Sequence, residues 1–150
     1  MEYKNEIRIV FDNEMVEKYK VEYFRKYPGR KKFDLKPTAM SLNEFTAKTR
    51  MVQAGYKVKY AEFVQFVLEE LDIPKLNLEQ CHLTVNFKWC DRRNRDYDNY
   101  CITLKFYLDQ IVKYGLIKDD NFHIIDGVDL RMEVDKTLDE HMVEFIFTYW

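Results

Sequence analysis

Between Cys90 and Asn99 the chain reads Cys-Asp-Arg-Arg-Asn-Arg-Asp-Tyr-Asp-Asn, setting Arg92, Arg93 and Arg95 against Asp96 and Asp98. In extended chain two carboxylates at i and i+2 point to opposite sides, whereas a turn converges both on one cation. Hard divalent cations take oxygen ligands, and Mg²⁺ commonly uses one or two carboxylates, with waters and a substrate phosphate completing the shell. A helix starting near Asn99 adds free amides and a positive dipole end that suit a phosphate. The same residues allow a purely structural reading, in which Asp98 or Asn99 caps the helix and Asp96 pairs with an arginine. Lys105 adds to the chemistry. On a continuous helix it falls within about 20° of position 98 and some 10 Å further along. It borders an apolar stripe of Cys101, Leu104, Leu108, Ile111 and Val112. A long cation there suits phosphoryl transfer, although a snorkelling lysine has the same look. Asp119 and Asp120 then stand side by side before an apolar run and, taken alone, make a turn.

The elements that must position these residues follow from periodicity. Residues 6 to 11 alternate and are rich in β-branched side chains, as in a strand. Pro28-Gly29 and Pro37 bracket a basic loop, part of a basic arm expected over about 18–40. Ser41-Leu-Asn-Glu44 has the form of a capping box, so a helix is expected from 42. Gly55 is a candidate break, and Val58–Leu71 continues as helix with Tyr60, Phe63, Val64, Val67, Leu68 and Leu71 on one face. Cys81, Leu83, Val85, Phe87 and Trp89 form the apolar face of an alternating strand. A helix from about Asn99 to Tyr114 ends at Gly115. Segments near Ile124–Val134 and His141–Trp150 read as a closing hairpin. The resulting β-α-β-α-β-β order predicts an α+β fold, a single layered domain over 1–150 with a mixed sheet.

The net charge of −2 conceals an asymmetry: residues 18–59 hold twelve Lys and Arg against three acids, leaving the rest of the chain at −11. One basic surface and one carboxylate-rich region suit a polyanion partner. Tyr19, Tyr23, Phe24, Tyr27 and Phe33 interleave with those cations. Rings among cations suit stacking on unpaired bases, and rings of this density also suit a core.

Composition narrows the class. Aromatics at 16% argue against disorder. Apolar runs fall far short of the roughly 20 residues that cross a bilayer, so no membrane association is expected. Residues 1 to 6 carry no apolar stretch of the secretory kind. Cys81, Cys90 and Cys101 are odd in number and lack a C-x-x-C pair, which suits reduced thiols in a cytoplasm. His82, His123 and His141 lack the spacing of a closed zinc site, and His123 reads as a strand residue.

Taken together, the run from Arg92 to Val128 resembles the RusA family of phage and prophage Holliday-junction resolvases. That family pattern is a basic loop, Asp-x-Asp-Asn, a helical lysine, and Gly-hydrophobic-x-Asp-Asp before an apolar strand. Here it reads Arg95-Asp96-Tyr97-Asp98-Asn99, Lys105 and Gly115-Leu116-Ile117-Lys118-Asp119-Asp120. Ser41–Glu44 followed by Arg50 and Lys57 looks like the helical region of phage members. The resemblance implies a Mg²⁺-dependent endodeoxyribonuclease (Mn²⁺ the alternative) that makes paired cuts in branched DNA. It implies Asp96, Asp98 and Asp120 as metal ligands, Asp119 as a substitute, and Lys105 as the catalytic lysine. The family lysine follows Asp-Asn by one helical turn, whereas Lys105 follows by two and Ile102 stands at the one-turn position. Arg30, Lys31, Lys32, Arg50, Lys57, Lys59, Arg92, Arg93 and Arg95 are then the expected DNA-binding cations.

Geometry adds an expectation. A helix from Asp98 to Gly115 spans about 26 Å, and the five residues on to Asp120 return at most about 17 Å. A homodimer with antiparallel helices would instead bring Asp119 and Asp120 of one copy to Asp96 and Asp98 of the other. Two other readings fit the same residues: a branched-DNA-binding protein without catalysis, its lysine displaced, and an RNA-binding α+β module in which the aspartates only cap and pair.

Overall fold

A computed structural model describes residues 3–150; Met1 and Glu2, the start of the segment read for a secretory signal, lie outside the described residues. Strand β1 (Asn5–Phe11) buries Ile7, Ile9 and Phe11 on alternate positions. The Asp12 side chain accepts a hydrogen bond from the Met15 amide and starts helix α1 (Asn13–Lys26). This helix buries Met15, Val16, Tyr19 and Tyr23. The basic arm expected from residue 18 therefore begins only after Lys26. A helical apolar period lay hidden among the charges between its members.

The remaining stretch to Ser41 has no regular structure, yet Leu35, Ala39 and Met40 are buried. The Tyr107 hydroxyl donates to the Pro37 carbonyl at 2.5 Å, and the Thr103 hydroxyl to that of Thr38. Only residues 28–32 of the arm stand free of the core. Ser41 caps helix α2 (Leu42–Thr46) through the Glu44 amide, as the capping box predicts. Helix α3 (Arg50–Glu70) then starts from its own cap at Thr49 and runs unbroken through Gly55. The interruption comes earlier, at Ala47–Thr49, because a second capping hydroxyl outcompetes a mid-helix glycine costing about 1 kcal/mol. Tyr60, Phe63, Val64, Val67 and Leu68 are buried along α3, and Leu71 is half-buried.

Strand β2 (Cys81–Trp89) alternates strictly between buried and half-buried residues. A 3-10 turn (Tyr97–Tyr100) leads into helix α4 (Cys101–Tyr114), which stops at Gly115 with φ of 105°, a left-handed conformation that favours glycine. Strands β3 (Ile125–Val134) and β4 (Met142–Tyr149) complete a four-stranded sheet of order β1-β4-β2-β3. β2 and β3 are parallel and joined by the α4 crossover, and β4 is antiparallel to both β1 and β2. The last two strands are thus not a hairpin: β4 inserts between β1 and β2. Burial explains the choice. Val143, Phe145 and Phe147 of β4 are fully buried and need neighbours on both sides, whereas β3, with Asp126, Asp129, Arg131 and Glu133, tolerates an edge.

The helices cover one face of this α+β domain, where Phe11, Tyr107 and Phe145 meet at ring separations of 4.5–5.7 Å. The other face is polar. Its buried Glu144 carboxylate accepts from Arg8 at 3.1 Å and from Asn86 at 3.4 Å, with Lys88 at 3.8 Å. Among the described residues no helix is long and apolar enough to cross a membrane.

Candidate active site

At one end of α4 stands the Asp-x-Asp turn, and its bracing begins with Arg95. The Arg95 guanidinium lies over the Trp89 ring at 4.3 Å and bonds both oxygens of Asp91 at 2.7 and 3.2 Å. Those bonds hold the Asp91 carboxyl well below the usual carboxylate range. Asn99 braces the other side, its side-chain oxygen accepting the Asn43 amide of α2 at 3.1 Å. Between these anchors Asp96 and Asp98 are exposed. Among the described residues neither carboxylate makes a side-chain hydrogen bond or an ion pair, and Asp96 does not cap the 3-10 turn through its side chain. The structural reading of these two aspartates, a cap and an arginine partner, is therefore not realised: Arg95 pairs backwards to Asp91 instead.

The 3-10 turn also resets the helical phase. Asp98 lies outside α4, so Lys105 does not sit above it on one continuous helix. Lys105 is exposed, and Ile102, at the one-turn position, is buried at 6% exposure. Cys101, placed in the apolar stripe by periodicity, is exposed as well; the buried face runs through Ile102, Thr103, Phe106, Tyr107, Gln110 and Ile111.

Lys105 instead lines an open cavity of about 600 Å³ together with Lys57, Asp109, Lys113, Asp119 and Asp120. Buried Leu116 and Ile117 and the Lys118 amide bond to the Leu78 carbonyl, at 2.9 Å, fix the loop carrying the two aspartates. Partial burial, and secondarily Asp119 and Asp109, push the Asp120 carboxyl above its ordinary value. Asp109 went unnoticed in the sequence, although it lies four residues beyond Lys105 on the same helix face. His123 is exposed in the turn before β3 rather than in the strand, its amide bonded to the Asn121 side chain.

The two groups are separated within one chain. Neither Asp96 nor Asp98 lines the cavity of Lys105 and Asp120, and the 14 residues of α4 span about 21 Å. Among the described residues, the three-ligand group with atoms within 4.8 Å is Cys90, Asp91 and His141. The β2–β4 pairing brings these together in a way their sequence spacing conceals. They do not suit a cation, because the Arg95 guanidinium already occupies Asp91 and lies 3.2 Å from the His141 ring nitrogen. Asp96 and Asp98, as free oxygen donors, do suit Mg²⁺ or Mn²⁺.

The expected DNA-binding cations divide sharply. Arg30, Lys31, Lys32, Arg50, Lys57, Arg92 and Arg93 are exposed. Arg95 is pinned, with 9% of its side chain exposed. Lys59 turns inward, its ammonium donating to the Asp34 carbonyl at 3.1 Å near the Tyr23, Phe33 and Tyr56 rings; burial lowers its pKa. The interleaved aromatics are core and not a stacking platform. Tyr19 and Tyr23 are buried, and Phe24, Tyr27 and Phe33 pack against them. No protein-family model matches the chain, and no curated protein matches it.

Proposed function

We propose that the protein is a metal-dependent, structure-selective endodeoxyribonuclease of the RusA type, acting as a homodimer on four-way DNA junctions. The observation that carries this reading is the pair Asp96 and Asp98: two carboxylates on a doubly braced turn, held in the open without protein partners. A carboxylate pair kept rigid and unpaired is poor for stability and well suited to holding a cation. Asp96 and Asp98 of one copy, with Asp120 of the other, would hold Mg²⁺ (Mn²⁺ the alternative), and Asp119 could stand in for Asp120. The ion, when bound, supplies Lewis acidity that generates a water nucleophile and offsets phosphoryl charge.

The chain's own residues do the rest. Arg92 and Arg93 reach free into solvent beside the turn and hold the strand near the scissile phosphate. Arg30, Lys31, Lys32, Arg50 and Lys57 hold flanking backbone without sequence preference. Lys105 directs its ammonium to charge developing on the phosphoryl and leaving oxygens. Asp109, four residues on, lines the same cavity as Lys105, Asp119 and Asp120 and adds a negative charge beside them.

The test is cleavage of an end-labelled four-way junction with and without Mg²⁺, beside a linear duplex of the same sequence and the Asp98→Asn protein. Paired nicks in the junction alone, lost in the variant, are the expected result. Tight junction binding without cutting in Mg²⁺ or Mn²⁺ would instead leave a branched-DNA-binding protein, and preference for single-stranded RNA would remove both.

A further inference from the structure

Strand β3 is one of the two edge strands of the sheet, with β1 at the other side, and among the described residues no strand pairs with its outer edge. Val128, Leu130, Met132 and Val134 share the helix-side face with Leu83, Val85, Phe87 and Trp89 of β2. Yet Val128 is 49% exposed and Val134 46%, because no helix reaches over them. Asp129, Arg131 and Glu133 lie on the opposite face, in register with Thr84, Asn86 and Lys88. The charges of Asp129, Arg131 and Glu133 guard this ten-residue edge against indiscriminate pairing and leave it open to a strand whose charges complement them.

We infer that β3 pairs antiparallel with β3 of a second copy about a two-fold axis perpendicular to the sheet. Such an axis keeps both helix layers on one side and joins two four-stranded sheets into one of eight strands. Directly opposed residues share a face, so the sum of their numbers must be even. The charges then choose among the central registers. Centring on Arg131 opposes two arginines and sets Asp129 against the partner's Glu133. Centring on Asp129 opposes two aspartates. Centring on Leu130 sets Asp129 opposite the partner's Arg131, twice, and Val128 opposite the partner's Met132. Arg131 is open for this role, since among the described residues it makes no ion pair within the chain, whereas Asp129 already meets His82 at 3.0 Å and Glu133 meets Lys88 at 3.7 Å.

The pairing has a consequence for the site, which rests on the nuclease reading above. Because β2 and β3 are parallel, their C-terminal ends lie together, at the end where β2 leads into the Asp96–Asp98 turn. Asp119 and Asp120 lie just ahead of the N-terminal end of β3. Antiparallel pairing sets that end of the partner beside the C-terminal end of this chain's β3. Two strand spacings, about 10 Å, then separate the partner's β3 from β2, and the partner's Asp119 and Asp120 come to the Asp96–Asp98 end of the sheet, whereas this chain's own pair lies at the opposite end of α4.

The experiment uses two single substitutions and sedimentation of the full chain. Asp129→Arg opposes two pairs of arginines and Arg131→Asp two pairs of aspartates, so each variant alone is expected to be monomeric where the wild type is dimeric. Their dissociation constants should rise roughly a hundredfold. Mixed in equal amounts, the two variants regain both opposite-charge pairs and form a heterodimer, which also shows that each is folded. A monomeric wild type, a variant that stays dimeric, or a mixture that stays monomeric overturns the inference. A dimer that obeys the mixing rule yet cuts no DNA leaves this surface standing and removes the nuclease reading. A monomer that cuts junctions does the reverse.

Discussion

The two ends of α4 carry the same kinds of residue and treat them in opposite ways. At its N-terminal end the charges are sorted: Arg95 is spent on Asp91 and the Trp89 ring, and Asp96 and Asp98 are left open. Along its outer side and on to its C-terminal end they are mixed, with Lys57, Lys105 and Lys113 around Asp109, Asp119 and Asp120 in one cavity. A sorted end is suited to taking a cation from solution, and a mixed end to tuning groups already present, as the raised Asp120 carboxyl illustrates. Neither end is a complete phosphoryl-transfer site. The difference teaches that proximity in sequence, with only 21 residues between Asp98 and Asp120, is no guide to proximity in space when a rigid helix lies between.

The largest expected effect breaks the division itself. Asp98→Asn and Asp120→Asn should each lower junction cleavage on the order of 10³-fold, measured as single-turnover rates, while leaving junction affinity nearly intact. A variant that loses binding as much as cutting would show that its carboxylate organises the surface rather than the chemistry.

Lys105→Ala should cost roughly 10²-fold in rate, with Lys105→Arg recovering part of it. The comparison sharpens if Asp109→Asn shifts the pH profile of cutting without changing junction affinity.

The arginines of the loop offer a contrast within one end. Arg92→Ala and Arg93→Ala should each reduce the salt dependence of DNA binding by about 0.9 in log–log slope and leave Tm unchanged. Arg95→Ala should instead lower Tm by roughly 3–6 °C, reflecting about 1–2 kcal/mol of lost packing on Trp89 and of lost pairing. Equal behaviour of all three in thermal melts would contradict the sorting.

The smallest effect concerns His141, which faces Arg95, Asp91 and Cys90. Burial, and secondarily Arg95, lower its pKa. The unfolded chain therefore takes up the proton first, and stability is lost as pH falls below about 6.5. Urea melts of the wild type and His141→Gln should show the wild type losing its advantage between pH 7 and pH 5.

Much of this was legible in the sequence where a residue's own chemistry decides its place. The Ser41 capping box, the alternation of β2, the Gly115 stop and the α+β class follow from local rules. What escaped depended on competition between distant segments. The 3.6-residue period of α1 was masked by lysines on its outer side. The insertion of β4 turned on which of two apolar strands could bear an edge. Arg95 looked like a third phosphate ligand until Trp89 and Asp91 claimed it, and Tyr23 and Phe33 looked available for stacking until α3 covered them. In the candidate site, the residue types and a turn at Asp96–Asp98 were readable, whereas the freedom of those carboxylates depended on where Arg95 pairs, and the distance to Asp120 on the length and phase of α4.

The central claim is that an active centre is assembled from both ends of α4 across two copies. Mixing the inactive Asp98→Asn and Asp120→Asn proteins tests it most directly. Each mixed dimer would pair an intact Asp98 with an intact Asp120 at one of its two sites, so cleavage of the labelled junction should return as single nicks in place of paired cuts. If the mixture remains as inactive as either variant alone, while sedimentation shows that mixed dimers have formed, the composite site is wrong.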